Sequence, residues 1–207
     1  MLVAVYTGMR KGEICGLHWK NIDFKNNIIT IERTRDDIGT RTPKTKNSYR
    51  RILVDDLVID QLKKYQVWCK QILLKHGKQL DDQLFVFINT FNNLLHGAAI
   101  NKMFRDTILK AGILNNDGEP KITFHGLRHT HATILLNSGQ NVKAIAQRLG
   151  NTPAMIYEIY GHVMKELEEQ SVEVFSRSLN CGTGASIGLI NLKVRVNVDK
   201  SRLFSFI

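Results

Sequence analysis

Apolar residues recur at helical spacing through most of this chain and alternate with polar ones in a few short stretches. MLVAVYTGM at residues 1–9 is apolar and helical until Gly8 breaks it, and Glu13–Trp19 starts again with Ile14, Leu17 and His18 at helical spacing. A domain seldom begins inside a core helix, so a first helix and an N-terminal part are expected to be missing. Residues 22–34 read as two strands around an Asn-Asn turn, and RRILV at 50–54 as a further strand. Residues 55–76 predict a long amphipathic helix, with Leu57, Ile59, Leu62, Tyr65 and Trp68 on its apolar stripe. LFVFI at 84–88 reads as a short strand, and residues 96–112 as a helix ended by Gly112.

Helices then dominate. One covers 124–139 and ends at Gly139; Asn141 caps a shorter one, VKAIAQRL, which runs to Gly150. Thr152-Pro153 reads as the N-cap and first turn of a helix over 153–162, and an amphipathic helix follows over 164–179. From 180 the character shifts: a Gly/Ser-rich start reads as a linker, and LKVRVNV alternates as a strand does. That tail either packs as a strand on a neighbouring subunit or is disordered. The elements sum to an α+β fold, mainly α-helical with a small antiparallel β-sheet. No internal repeat is apparent.

Composition adds one fact to this picture. Apolar content of 43% and charged content of 23% are ordinary for a globular chain. The net charge of +10, from 29 Lys and Arg against 19 Asp and Glu, is not, and favours a polyanion, nucleic acid before membrane. Cys15, Cys69 and Cys181 lie far apart, so neither a disulfide framework nor a zinc site is implied. No apolar run approaches the ~18 residues needed to span a bilayer, and the N-terminus lacks the basic start of a signal peptide. A cytoplasmic protein is expected.

Candidate chemistry concentrates in residues 122–162. His125 and Arg128 stand three apart on one helix, so both can address one anion. Arg148-Leu149-Gly150-Asn151 ends the next helix, and Tyr160 follows Asn151 by nine residues. A tyrosine that reaches a phosphate held by Arg128 is a candidate nucleophile. Near the N-terminus stands TGMRKGE, with Arg10 in the break between two helices. RTPKTKNSYRR at 41–51 carries five basic residues and no acidic one, and would form a basic hairpin tip.

Together these residues resemble the catalytic domain of the tyrosine recombinase (phage integrase) family. The family pattern T-G-x-R-x-x-E matches residues 7–13, H-x-x-R matches 125–128, and L-G-H is met by Leu149-Gly150-Asn151. The nucleophilic Tyr, nine residues further on, matches Tyr160. The departure is Asn151 where the family usually has His. The resemblance covers residues 1 to about 178 and implies a catalytic domain over 1–179, followed by the tail at 180–207. It implies the DNA breaking-rejoining fold and site-specific recombination through a 3′-phosphotyrosyl intermediate.

In that scheme Arg10 and Arg128 clamp the scissile phosphate, with Glu13 holding the local structure. The family's catalytic Lys sits in the β-hairpin; Lys46 is the choice here and Lys44 the runner-up. His125 accepts the Tyr160 proton or orients the phosphate, and Asn151 offers its amide NH2 as a donor. Lys44, Arg50 and Arg148 are assigned to DNA contact. The partners implied are double-stranded DNA, a homotetramer on that DNA and accessory DNA-bending proteins. No cofactor and no metal is expected, and His129 and His131 read as packing or hydrogen-bonding residues. Tyr157 is a rival nucleophile at the wrong spacing. Two other readings stay open: a non-catalytic DNA-binding remnant, for which SGQNVKAIAQRLG also has helix-turn-helix spacing, and type IB topoisomerase-like relaxation.

Overall fold

A computed structural model of the chain describes residues 1–36, 38–42 and 46–180. Two compact units divide it, Met1–Met164 and Lys165–Ile207. The described part of the second, residues 165–180, is helical. The tail expected from 180 lies, from 181 onward, outside the described residues, as does Lys44.

The first unit opens with α1 (Leu2–Thr7), stopped by Gly8 in the left-handed conformation, φ 63°. Then α2 (Lys11–Cys15) begins on Arg10. It is shorter than the helix expected over 13–19. Gly16 ends it, and His18 is extended and heads the 3-10 turn Trp19–Asn21. The strands β1 (Ile22–Asp23) and β2 (Ile28–Ile31) form an antiparallel hairpin, pairing Ile22 with Ile29. Its turn is fixed by the Asp23 carboxylate, which accepts from the backbone N–H groups of Lys25 and Asn26. A second hairpin pairs β3 (Thr34–Arg35) with β4 (Thr40–Arg41). Strand β5 (Arg50–Leu53) then returns to β2, with Ile29 opposite Ile52 and Ile31 opposite Arg50. The three-stranded sheet is therefore ordered β1-β2-β5. Arg50 and Ile52 face inward while Arg51 and Leu53 face out, as period two requires.

Helix α3 (Asp56–Lys75) is capped by the Asp55 carboxylate, which accepts from the Leu57 N–H. Its buried stripe is Val58, Ile59, Leu62, Cys69, Ile72 and Leu73, with Tyr65 and Trp68 packed at its border. Leu57, expected on that stripe, is exposed. The strand expected at 84–88 is a pair of isolated bridges, His18 to Phe85 and Ile88 to Leu94. The first bridge is made by the Val86 N–H donating to Leu17 O and the Trp19 N–H to Leu84 O, and the ladder goes no further because the Tyr65 hydroxyl bonds both backbone groups of Ile88.

Four further helices follow among the described residues: α4 (Gly97–Lys110), α5 (Gly126–Asn137), α6 (Val142–Leu149) and α7 (Pro153–Asn180). The Asn141 side chain caps α6 by accepting from the Lys143 N–H, and Gly150 ends it at φ 66°. The Thr152 hydroxyl accepts from the Met155 N–H at the start of α7. The break expected between helices at 162–164 is displaced to Tyr160, whose φ −115° and ψ 18° are non-helical within α7. The outcome is the expected α+β fold, mainly helical with a small antiparallel sheet. Among the described residues, no helix is long and apolar enough to cross a membrane.

Candidate active site

The site is assembled from the breaks between helices rather than from the helices themselves. Arg10 occupies the break between α1 and α2 in extended conformation, φ −69° and ψ 151°. Its backbone N–H donates to Glu13 Oε2 at 2.8 Å and its Nη1 to Glu13 Oε1 at 3.1 Å. From the sheet, Arg50 reaches the same carboxylate with both terminal nitrogens, at 2.9 and 2.8 Å. Glu13 is thus buried at 3% exposure with four donors on its two oxygens. Burial pushes its pKa up, but the hydrogen bond and charge of Arg50, with Arg10 behind them, outweigh this and hold it below the ordinary value.

Arg128 enters from the first turn of α5 and is 5% exposed. Its Nη1 donates to Gly8 O at 2.7 Å and its Nη2 to Leu149 O at 2.6 Å. Both acceptors are carbonyls freed where helices α1 and α6 end. Residues from the two ends of the domain therefore converge on one point. Arg10 Nη2, at 2.6 Å, and Arg128 Nη2, at 3.2 Å, both donate to Asn151 Oδ1. Burial, and secondarily the charge of Arg10, lowers the Arg128 pKa to about 10, so it stays protonated near neutral pH.

Asn151 was expected to offer its amide NH2. The structure turns its oxygen to the arginines instead, because a guanidinium donates and cannot accept. Arg50 and Arg148, expected at a DNA surface, are likewise turned inward. The Arg50 side chain is 5% exposed, and its Nε donates to Arg148 O at 2.7 Å. Arg148 donates to Leu53 O, Tyr6 O and His131 Nε2 at 3.0, 2.8 and 3.1 Å. These two arginines knit β5, α1, α5 and α6 together around a cradle formed by Arg10, Arg128 and Asn151. Two glycines make room for it. A Cβ on Gly8 would stand 2.6 Å from Leu149, and one on Gly150 would stand 2.7 Å from Arg50 Nη1 and 3.0 Å from Asn47 O. Both glycines also have positive φ, which a side chain disfavours.

Lys46 opens the 3-10 turn Lys46–Ser48, directly before β5. That turn is tied to the cradle, since Arg50 Nη1 donates to Ser48 O at 3.1 Å.

Tyr160 is 4% exposed, whereas the rival Tyr157 is 56% exposed. Burial raises the Tyr160 pKa, and the nearby charge of Arg128 opposes that rise. The hydroxyl lies 3.0 Å from His129 Nδ1, not against His125. His129 in turn stands edge-on to His125, ring centres 5.0 Å apart. His125 itself is exposed at the N-terminus of α5, and partial burial, then the charges of His129, Arg128 and Arg10, lower its pKa. His129, read from the sequence as a packing or hydrogen-bonding residue and given no place in the site, is the one that meets the hydroxyl. The signal was present: residues 125, 128 and 129 stand at i, i+3 and i+4 on one helix face. His131 does act as a hydrogen-bonding residue, meeting Val5 O and Arg148. Among the described residues no group of three His, Cys, Asp or Glu is placed to hold a metal ion.

With this geometry in view, comparison with known proteins decides the family. The phage integrase family matches residues 1–166. This chain belongs to it. The chain is 31% identical over 192 residues to "Tyrosine recombinase XerC-like" of Caldanaerobacter subterraneus subsp. tengcongensis, covering 84% of this chain and 48% of that protein. It is 30% identical over 176 residues to the integrase of Staphylococcus phage L54a, covering 81% and 48%. The chain thus spans about half the length of these curated relatives. Among solved structures, the Tn1549 transposon integrase in complex with transposon right end DNA aligns with TM-score 0.61 at 25% identity. That alignment covers 82% of this chain and 56% of the other.

Proposed function

We propose that this chain carries the strand-transfer centre of a site-specific DNA recombinase from a mobile element, with residues 1–179 as its catalytic domain. The observation that carries the reading is the single oxygen, Asn151 Oδ1, gripped by both Arg10 and Arg128. Two guanidinium groups that meet on one acceptor, each fixed from behind by carboxylate or carbonyl groups, form a ready cradle for a phosphate oxygen. Asn151 yields that place when DNA enters. Arg10 and Arg128 then meet the charge that develops on the non-bridging oxygens, without reorganising.

Tyr160 attacks the phosphorus, the P–O5′ bond breaks, and Lys46 protonates the leaving oxygen. The 3′-phosphotyrosyl bond conserves the energy of the phosphodiester, so a 5′-hydroxyl of a new partner reverses the step. His125, at the rim and beside the arginines, orients the phosphate. Lys44 contributes to DNA contact. The working assembly is four protomers on two duplexes in the cytoplasm, assisted by DNA-bending proteins.

The test is a nicked suicide duplex incubated with the protein and read on a denaturing gel. A covalent protein–DNA band that vanishes in Tyr160→Phe supports the reading. DNA binding without a band favours the second reading, a binding remnant. The observation behind that alternative is Asn151, which accepts where the usual family His donates. Asn151→His is expected to raise cleavage by roughly 10–100-fold, as about 1–3 kcal/mol of transition-state stabilisation returns. No gain would remove Asn151 as the weak point.

A further inference from the structure

The Tyr160 hydroxyl must lose its proton to attack, yet the side chain is almost wholly enclosed. Bulk water has no ready path to that proton. The side chain that meets the hydroxyl is His129, through Nδ1 at 3.0 Å, with the rings inclined at 56°. His129 itself is exposed, so a proton it collects passes on to solvent. It lies one residue after Arg128 on α5, which fixes it to the element that holds the phosphate cradle.

We infer that His129 is a catalytic residue of the strand-transfer reaction: the general base that takes the Tyr160 proton, relayed from buried phenol to solvent-facing imidazole. The inference rests on the strand-transfer reading above. In the neutral ring Nε2 carries the proton and Nδ1 accepts. As the phenol oxygen bonds to phosphorus, its O–H proton moves to Nδ1 and the ring becomes an imidazolium. The P–O5′ bond breaks, and its electron pair leaves with O5′, which takes a proton from Lys46. Rejoining runs the same transfers backward, the imidazolium returning its proton to the departing phenolate. His125 is left free to serve the phosphate. The titratable and charged groups that face this pair are His125 on the same helix, edge-on to His129, and Arg128 of the cradle, whose charge acts on Tyr160.

The test measures single-turnover cleavage by the full chain of nicked duplexes tiled across the DNA that flanks its gene. His129→Ala and His129→Asn are compared; Asn keeps a hydrogen-bonding group near the Nδ1 position but takes up no proton. Both are expected to slow cleavage about 10²-fold while DNA affinity is kept. A rise in rate between pH 5 and 7 is expected of the wild type, and both variants should lose it. A substrate with sulfur at the bridging 5′ position, whose leaving group needs no proton, should rescue Lys46→Ala but neither His129 variant. His129→Asn at the wild-type rate, rescue by the sulfur substrate, or faster cleavage on removing the imidazole would each overturn the assignment. The last would mark His129 as a latch that holds Tyr160 back. A wild-type band with unaffected His129 variants removes this role alone. Should the wild type give no band, the strand-transfer reading falls. The ¹⁵N-histidine spectrum then decides: a His129 Nδ1 resonance unmoved by Tyr160→Phe overturns the pairing, and one that moves supports it.

Discussion

The two halves of the candidate site are built on opposite principles. In the cradle, Arg10, Arg50 and Arg128 are each tied to at least two protein acceptors, and most of those acceptors are buried or belong to the backbone. Around the proposed nucleophile, the Tyr160 hydroxyl meets one side chain among the described residues, His129, and the helix that carries it leaves helical geometry at that residue. The lesson is a division of labour. The groups that stabilise charge are fixed before substrate arrives, as electrostatic preorganisation requires. Tyr160, the proposed nucleophile, is held by a contact that is easily exchanged.

The comparison can be broken most sharply at Arg128. Replacing Arg128 by Ala removes one arm of the cradle and leaves Gly8 O and Leu149 O without that donor; cleavage in the gel assay should fall at least about 10³-fold. Urea unfolding should show a clear loss of stability beside it. If stability alone changes, the cradle is a structural clasp.

Glu13→Ala comes next. It leaves Arg50 buried without its counter-charge and frees Arg10, and a loss of about 3–5 kcal/mol is expected by denaturant titration. A loss below 1 kcal/mol would mean that the ion pair is not the organising contact.

Smaller again is Gly150→Ala, which combines a positive φ with a Cβ pressed against Arg50. About 1–3 kcal/mol should be lost, with the thermal midpoint as readout. An unchanged midpoint would show that Arg50 moves aside freely.

The pH dependence sharpens the same contrast. His125 and His131 titrate below their ordinary value in the folded chain, and so does Glu13. A group with a depressed folded pKa contributes stability above its unfolded pKa and loses it as pH falls. The thermal midpoint should therefore decline below about pH 6.5, the histidine range, and decline further below about pH 4.5, the Glu13 range. A midpoint that rises on acidification would contradict these directions. Last, Tyr157→Phe should leave both cleavage and stability within about 0.5 kcal/mol of the parent, since that ring is exposed. Lost cleavage would move the nucleophile.

Much of this architecture was legible in the chain because its signals are local. Asn141 before VKAIAQRL and Gly150 after it delimit α6 to the residue, since a cap and a left-handed stop act within one turn. Gly8 marks the end of α1 in the same way. Leu57 misled because the first turn of α3 turns it outward while Val58 takes the buried place. LFVFI misled because apolar content says a segment is covered, not which groups satisfy its backbone. In the fold a single bridge to His18 and the Tyr65 hydroxyl do so in place of a continuous neighbouring strand.

The sequence by itself determined which residue types stand at which spacing: an Arg in the break after Gly8, His and Arg at i and i+3, and a Tyr nine residues past Asn151. It also set the basic charge that favours a polyanion. Tertiary structure alone decided which way those residues face. Arg50, in a basic run, and Arg148, at the end of α6, read as DNA contacts, yet folding turns them to protein acceptors, because Glu13 and the carbonyls of Arg148, Leu53 and Tyr6 are brought to them from far along the chain. Asn151 presents oxygen rather than nitrogen because two guanidinium groups converge on it from positions 10 and 128. His129 meets Tyr160 for the same reason. Hydrogen bonds between residues 23 to 142 positions apart depend on the packing of whole elements, and no local pattern encodes their direction.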